Sequence, residues 1–288
     1  MHEELLDTAL AAARVGGEIL RRYFGSGDLD VRTKGENDFV TRADGESERA
    51  VVDLIQARFP DHAVLGEEGG QQSGRQPGPQ VGEAEFQWVL DPLDGTTNFL
   101  QGLPVFCVSI ACRHRGETVA AVVHEPLAGT TFTATRGGGA WRDGRRLRVS
   151  QRQGLRGAFL ATGYPFRAKG ALDVYLAVFR EVFLQARAVR RCGAAALDLA
   201  YTAAGVYDGF FEFRLSPWDI AAGALLIEEA GGVLSDLDGG AGYLRTGNLL
   251  AGGPGVLSEL RAAVNAHAVE ATVDAAVGKE AAVGAHLF

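Results

Sequence analysis

The sequence predicts an α+β fold, with helices packed on an antiparallel sheet in the first half of the chain and short strands alternating with helices in the second. Three observations carry this expectation. Apolar residues recur at helical spacing over residues 3–24, strand-like alternation sets in from residue 86, and helix-length and strand-length apolar runs take turns after residue 150. With 288 residues, 47% of them apolar, the chain can bury a sizeable core without covalent staples.

In order along the chain, Leu5, Leu6, Leu10, Ala13, Ile19 and Leu20 fall roughly on one face of a first helix, which Gly25, Ser26 and Gly27 end. After a polar stretch over 34–38, residues 42–58 read as helical, and 63–65 as a short buried strand leading into Gly66-Glu67-Glu68. Residues 69–84 are rich in Gly, Gln and Pro with no apolar period, which predicts a mobile surface segment. Residues 87–90 are strand-like; 105–112 and 118–124 alternate about a turn at 114–117, predicting a hairpin that 130–135 and 140–141 extend into a meander. A strand near 159–161, helices near 171–186 and 193–206, a strand at 209–213 and a helix over about 217–230 follow. Short strands near 233–234 and 249–251 and a helix near 255–268 complete the pattern. A soft boundary near residue 150 separates an N-terminal α+β part, 1–150, from a C-terminal α/β part, 151–269; residues 270–288 read as a flexible tail.

Composition narrows the function classes. A net charge of -8 argues against a nucleic-acid-binding surface, which needs clustered Lys and Arg, and suits a cation site. Cys107, Cys112 and Cys192 form no CxxC pair and leave an odd count, so they read as reduced core thiols. The N-terminus is acidic from Glu3, and no uncharged apolar run approaches the roughly 18 residues of a membrane span, so a soluble cytoplasmic protein is expected. The six histidines are scattered singly and read as structural or surface groups.

The stretch Asp91-Pro92-Leu93-Asp94-Gly95-Thr96-Thr97-Asn98-Phe99 follows an apolar strand directly. Two carboxylates three residues apart, with Pro92 fixing the backbone between them, can converge on one point while the Leu93 carbonyl adds a neutral oxygen. Such donors suit a hard cation such as Mg²⁺. Residues 95–97 resemble a turn into a helix start, whose free N–H groups suit a phosphate. The plain alternative is that Asp91 and Asp94 cap a turn. A second stretch, Ser216-Pro217-Trp218-Asp219, has the spacing of a capping box with Pro at the first helical position, so on these residues alone Asp219 reads as a cap ahead of a metal ligand. Glu67, in Gly66-Glu67-Glu68-Gly69, reads on its own as solvated loop charge.

Both stretches, in order, resemble the two signatures of the inositol monophosphatase family, and the resemblance covers roughly residues 3–265. It implies the layered αβαβα sandwich that this family shares with fructose-1,6-bisphosphatase, with a mixed first sheet and the site between the two halves. It implies Mg²⁺-dependent, lithium-sensitive hydrolysis of a small polyol or sugar phosphate monoester, foremost myo-inositol 1-phosphate, by a homodimer. Two or three Mg²⁺ would be held by Glu67, Asp91, the Leu93 carbonyl, Asp94 and Asp219. Asp44 would pair with Thr96 to activate water, and Lys34 would sit in a mobile loop. Arg190, Gly193, Ala194, Ala195 and Glu212 would join Asp94, Gly95, Thr96 and Asp219 on the substrate side. The chain departs from the pattern at Ala194, where members commonly carry Ser or Thr, and in the length of the segment around Lys34. Relatives acting on fructose 1,6-bisphosphate, histidinol phosphate or 3'-phosphoadenosine nucleotides share the Asp91–Thr96 core, but Thr97-Asn98-Phe99 resembles the inositol pattern. A regulatory binding role, as in bacterial relatives associated with the transcription machinery, is the alternative of another class; five filled metal-ligand positions favour an enzyme.

Overall fold

A computed structural model describes residues 1–27, 29–35, 38–72, 84–166 and 168–267. The first amphipathic stretch forms α1 (His2–Tyr23), with Leu5, Ala9, Ala12, Ala13, Gly16 and Leu20 in its buried stripe. Glu3 and Glu4 in its first turn and Arg21 and Arg22 in its last complement the helix dipole. Gly16 faces α2 (Arg42–Arg58), where an added Cβ would come 2.8 Å from the Ser47 hydroxyl, so the absence of a side chain there sets how closely the two helices approach. Between them the polar stretch around residue 34 is a small hairpin, β1 (Arg32–Gly35) and β2 (Asp38–Val40), too short for alternation to reveal.

Among the described residues, eight strands form the larger sheet: β3 (Ala63–Gly66), β4 (Gly70–Gln72), β5 (Phe86–Asp94), β6 (Cys107–His114), β7 (Glu117–Glu125), β8 (Thr130–Thr135), β9 (Gly139–Arg142) and β10 (Arg145–Arg146). Their spatial order is β10-β9-β8-β7-β6-β5-β3-β4. β3 runs parallel to β5 and the remaining pairs are antiparallel, so the sheet is mixed. The segment 69–84, expected to lack structure, begins instead as edge strand β4, with Gln72 opposite Val64; residues 73–83 of that expectation lie outside the described residues, as does the expected tail 270–288. The hairpin between β6 and β7 turns through Arg115 and Gly116, both at positive φ (49° and 86°), a two-residue connection that matches the right-handed twist of the strands.

A short helix, α3 (Thr96–Leu100), follows β5. The smaller sheet contains β11 (Phe159–Thr162), β12 (Ala188–Arg190), β13 (Gly209–Glu212), β14 (Val233–Ser235) and β15 (Leu249–Gly252), in the order β12-β11-β13-β15-β14. Its helices are α4 (Leu172–Gln185), α5 (Ala195–Ala203), α6 (Pro217–Glu229), α7 (Tyr243–Thr246) and α8 (Pro254–Ala266).

Among the described residues, three apolar cores define the layering. One lies between the α1/α2 pair and the larger sheet, around Trp88, Leu90, Val108 and Ile110. The second surrounds α5 and α6 between the two sheets. The third joins the smaller sheet to α4 and α8. The order is therefore helices, sheet, helices, sheet, helices: the αβαβα sandwich. Its middle layer explains the composition of α6, in which every residue from Asp219 to Ile227 is buried; a helix covered on all sides has no face to spare for charge, so the lone acid among these residues has a task. Strand β5, covered by helices on both faces, is buried from Gln87 to Asp94. No helix among the described residues is long and apolar enough to cross a membrane.

Candidate active site

In a regular strand, residues three apart point to opposite faces, so Asp91 and Asp94 would diverge. The β5/β6 register removes the problem. Asp91 pairs with Ser109 and Asp94 with Cys107, three residues on one strand against two on the other, which makes a bulge at Pro92-Leu93. The proline has no N–H to give the ladder, and its carbonyl accepts from the Ser47 hydroxyl at 3.2 Å. The Leu93 N–H donates to Asp91 Oδ1 at 2.9 Å, holding that carboxylate across the bulge. The two carboxylates then meet Asp219, and one oxygen from each of the three lies within 4.8 Å of the others, all three residues buried.

Asp219 arrives from the other side of the seam. It is the third residue of α6, where its Oδ2 accepts from the Ser216 N–H at 2.7 Å in a capping box. The cap and ligand readings of the sequence are thus compatible, because the cap orients the carboxylate. The same device recurs at α2. There Asp44 Oδ2 accepts from the Thr41 N–H at 2.9 Å and from the Thr41 hydroxyl, which leaves Asp44 Oδ1 to accept from the Thr96 hydroxyl at 3.2 Å. Thr96 Oγ1 also lies 3.1 Å from the Leu93 carbonyl. Gly95, at φ 100°, packs against the Val105 carbonyl, where a Cβ would come within 2.9 Å; both the backbone angle and the space demand glycine at the start of α3.

Glu67 lines the same cleft but falls outside the trio of closest oxygens. Its loop is anchored by Glu48 of α2, which accepts from the Glu68 N–H (2.9 Å) and the Gly69 N–H (2.6 Å). A Cβ at Gly66 would sit 2.5 Å from that carboxylate.

On the opposite wall of the cleft, Gly193 at φ 85° turns the chain into α5, whose first-turn N–H groups point at β5: Ala195 N donates to Asp94 Oδ1 (3.2 Å) and Ala196 N to Asp94 Oδ2 (2.7 Å). Asn98 of α3 spans the same gap, donating to the carbonyls of Val105 and Cys192 at 2.8 and 2.9 Å. Glu212 ends β13 and lies over Gly163, where any side chain would overlap its carboxylate. Together these residues line a cleft of about 410 Å³.

Of the residues singled out in the sequence, Glu67, Asp91, Leu93, Asp94, Gly95, Thr96, Gly193, Ala194, Ala195, Glu212 and Asp219 line the cleft, and Asp44 reaches it through Thr96. Arg190 does not. Its guanidinium stacks over Phe159, 4.9 Å from the ring centroid, because it belongs to strand β12, and the cleft is lined instead by its neighbour Arg191 and by Arg214. Lys34 falls in β1, and its side chain lies outside the described residues. Among the cleft residues that carried no signal in the sequence are Asp198, an acid in an apolar helix, the pair Tyr164 and Phe166, and Arg214. Cys107, expected as a plain core thiol, donates to Asp94 Oδ2 at 3.6 Å.

The electrostatics are those of crowded, buried carboxylates. Burial, then the charges of Glu67, Asp94 and Asp219, push the Asp91 carboxyl well above the usual range. Asp94 is raised to about 7 by burial and by Asp219, against the N–H of Ala196, the Cys107 thiol and the N–H of Ala195. Glu212 is raised by burial, then by Asp219 and Asp198; Asp198 by burial, then by Asp94. Crowding buried carboxylates is unfavourable unless a cation compensates. The donors are all oxygens, the chemistry of Mg²⁺ rather than of zinc, so the residues present fit the metal.

The sequence profile of the inositol monophosphatase family matches residues 1–271. The chain belongs to this family. Proteins named Nus factor SuhB are 46% identical over 262 residues in Salmonella typhimurium strain LT2 (91% of this chain and 96% of that one) and 47% over 268 residues in Pseudomonas aeruginosa (92% and 97%). Among solved structures, the extragenic suppressor protein suhB from Bartonella henselae superposes with a TM-score of 0.85 at 38% identity, covering 91% of this chain and 98% of the other. The inositol monophosphatase from Anabaena superposes at 0.80 and 35%, covering 91% and 95%. The layered architecture derived above is that of the family.

Proposed function

We propose that the chain is a Mg²⁺-dependent phosphatase that hydrolyses a small polyol or sugar phosphate monoester, with myo-inositol 1-phosphate as the first candidate. The observation that carries the reading is the convergence of three buried carboxylates from two layers of the fold within 4.8 Å. Glu67, Asp91, the Leu93 carbonyl, Asp94 and Asp219 would hold the metal, which supplies the positive charge that polarises the phosphoryl oxygens and acidifies water. The protein's own residues do the rest. Thr96 donates its hydroxyl proton to Asp44, so its oxygen lone pairs are free to accept from a water molecule and orient it for in-line attack on phosphorus. Asp44, fixed by the α2 cap, is the group on which that proton can rest. Thr96 and Thr97 line the cleft at the first turn of α3, whose free N–H groups suit phosphate oxygens. Glu212, aimed along the cleft from β13, accepts from hydroxyls of the leaving group.

The test is phosphate release from myo-inositol 1-phosphate and fructose 1,6-bisphosphate side by side, with Mg²⁺, with EDTA and with added Li⁺. Release that needs Mg²⁺ and falls with Li⁺ supports the reading, and the ratio between the esters names the substrate. No release from either ester overturns it for both. The name Nus factor SuhB, borne by relatives 46–47% identical, favours a second reading, a regulatory role exercised in addition to turnover or without it. Under that reading a variant lacking Asp94 keeps the role while losing turnover.

A further inference from the structure

Tyr164 and Phe166 stand at the mouth of the cleft with 43% and 54% of their surfaces exposed, high values for aromatic rings that are nonetheless held in place. Tyr164 meets the fully buried Tyr175 edge-on, with ring centroids 6.0 Å apart at 86°, and the Tyr175 hydroxyl lies 3.1 Å from that of Thr162 at the end of β11. Phe166 meets Tyr164 edge-on at 5.9 Å and 84°. The Arg191 guanidinium lies 5.4 Å from both ring centroids, so one cation holds the two rings together. Glu212, over Gly163, brings its carboxylate next to the start of this wall. The mouth thus offers two things side by side: a carboxylate that accepts from hydroxyls, and exposed aromatic surface that offers no polar group except the Tyr164 hydroxyl.

A ring-shaped alcohol matches that pair. A cyclitol or pyranose carries hydroxyls on its rim and C–H bonds on its faces, and C–H bonds carry the partial positive charge that the faces of aromatic rings attract. An acyclic polyol has no fixed face to present. We propose that Tyr164 and Phe166 are specificity-determining residues, whose rings take the C–H face of a cyclic leaving group while Glu212 takes its hydroxyls. This rests on the phosphatase reading above.

Two measurements test it. The first is the ratio of kcat/KM for myo-inositol 1-phosphate to that for glycerol 2-phosphate in the wild type, Phe166→Ala and Phe166→Leu. The ratio is expected to fall about five- to tenfold in Phe166→Ala, through KM of the cyclic ester, as follows from roughly 1 kcal/mol for an aromatic contact. Phe166→Leu, which keeps apolar area without the ring face, is expected to restore less than half of it. An unchanged ratio overturns the proposal, as does full rescue by leucine. The second measurement needs no turnover: saturation transfer by NMR from protein aromatic protons to the ring protons of free myo-inositol, in the presence of Mg²⁺. Transfer in the wild type that is lost in Phe166→Ala supports the wall, and no transfer in the wild type refutes it. Transfer without hydrolysis of either ester leaves the wall standing and overturns the phosphatase reading instead.

Discussion

Replacing Asp94 by Asn separates what this residue contributes to folding from what it contributes to the site. A buried carboxyl raised from 3.8 to about 7 weakens the metal-free native state by roughly 4 kcal/mol at pH 8. Asn removes that penalty. It keeps one oxygen to accept from the Ala196 N–H and turns its NH₂ toward Ala195, which loses an acceptor at a cost of about 1–3 kcal/mol. The metal-free variant is therefore expected to be about 1–3 kcal/mol more stable than wild type at pH 8. That corresponds to a melting temperature several degrees higher, at about 2–4 °C per kcal/mol for a large domain. The sign depends on pH. The native carboxyl keeps its proton up to about pH 7, whereas the unfolded chain releases it near pH 4, so metal-free wild type loses stability as pH rises from 4 to 7. The advantage of the variant must shrink on going from pH 8 to pH 5. Thermal unfolding in EDTA at the two pH values reads this directly. Adding Mg²⁺ should raise the wild-type melting temperature and leave the variant little changed, and phosphatase turnover of the variant should be abolished. A variant less stable than wild type at pH 8, or an equal gain at both pH values, would refute the electrostatic account of the cluster.

Other expectations follow from single contacts. Thr96→Ala removes the hydroxyl that donates to Asp44 and, in the proposed mechanism, positions water, and should lower kcat by about 10²–10⁴ with an unaltered melting curve, as measured by steady-state kinetics and circular dichroism. Gly163→Ala places a methyl group where the Glu212 carboxylate lies; KM for a polyol phosphate should rise severalfold while Mg²⁺ still stabilises the protein. Gly95→Ala forces a side chain onto a backbone at φ 100° and to within 2.9 Å of the Val105 carbonyl, and should cost about 1–3 kcal/mol in denaturant unfolding.

Much of the site was legible because it is built from local chemistry. Asp91 to Phe99 is one continuous string, and Ser216 to Asp219 another, so spacing alone announced a turn and a helix start even before their resemblance to a family gave them a role. What the string did not reveal is the bulge that brings Asp91 and Asp94 to one side, since a register is a property of two strands and β6 lies elsewhere in the chain. Arg191 was hidden for a related reason. Two adjacent arginines look alike in sequence, and only the pairing of β12 with β11 decides that Arg190 turns to Phe159 and Arg191 to the cleft. Strands β1, β2, β4 and β12, each of three or four residues, are shorter than an alternation can be read over. Asp198 sits in an apolar helical run where an acid has no local rationale; its meaning comes from Asp94 and Arg191, both distant or ambiguous in sequence.

The two capping boxes have a consequence for how such a protein can change over time. Asp44 and Asp219 each accept from the N–H that starts their helix, and the same carboxylate also reaches the Thr96 hydroxyl (Asp44) or the carboxylate trio (Asp219). Exchanging either for Asn swaps a single oxygen for an NH₂ group, keeping an acceptor for the helix start while removing the charge that the proposed chemistry calls for. If the proposed function holds, a lineage with this architecture stands one nucleotide change from a well-folded protein without turnover, free to be retained for whatever its surface binds.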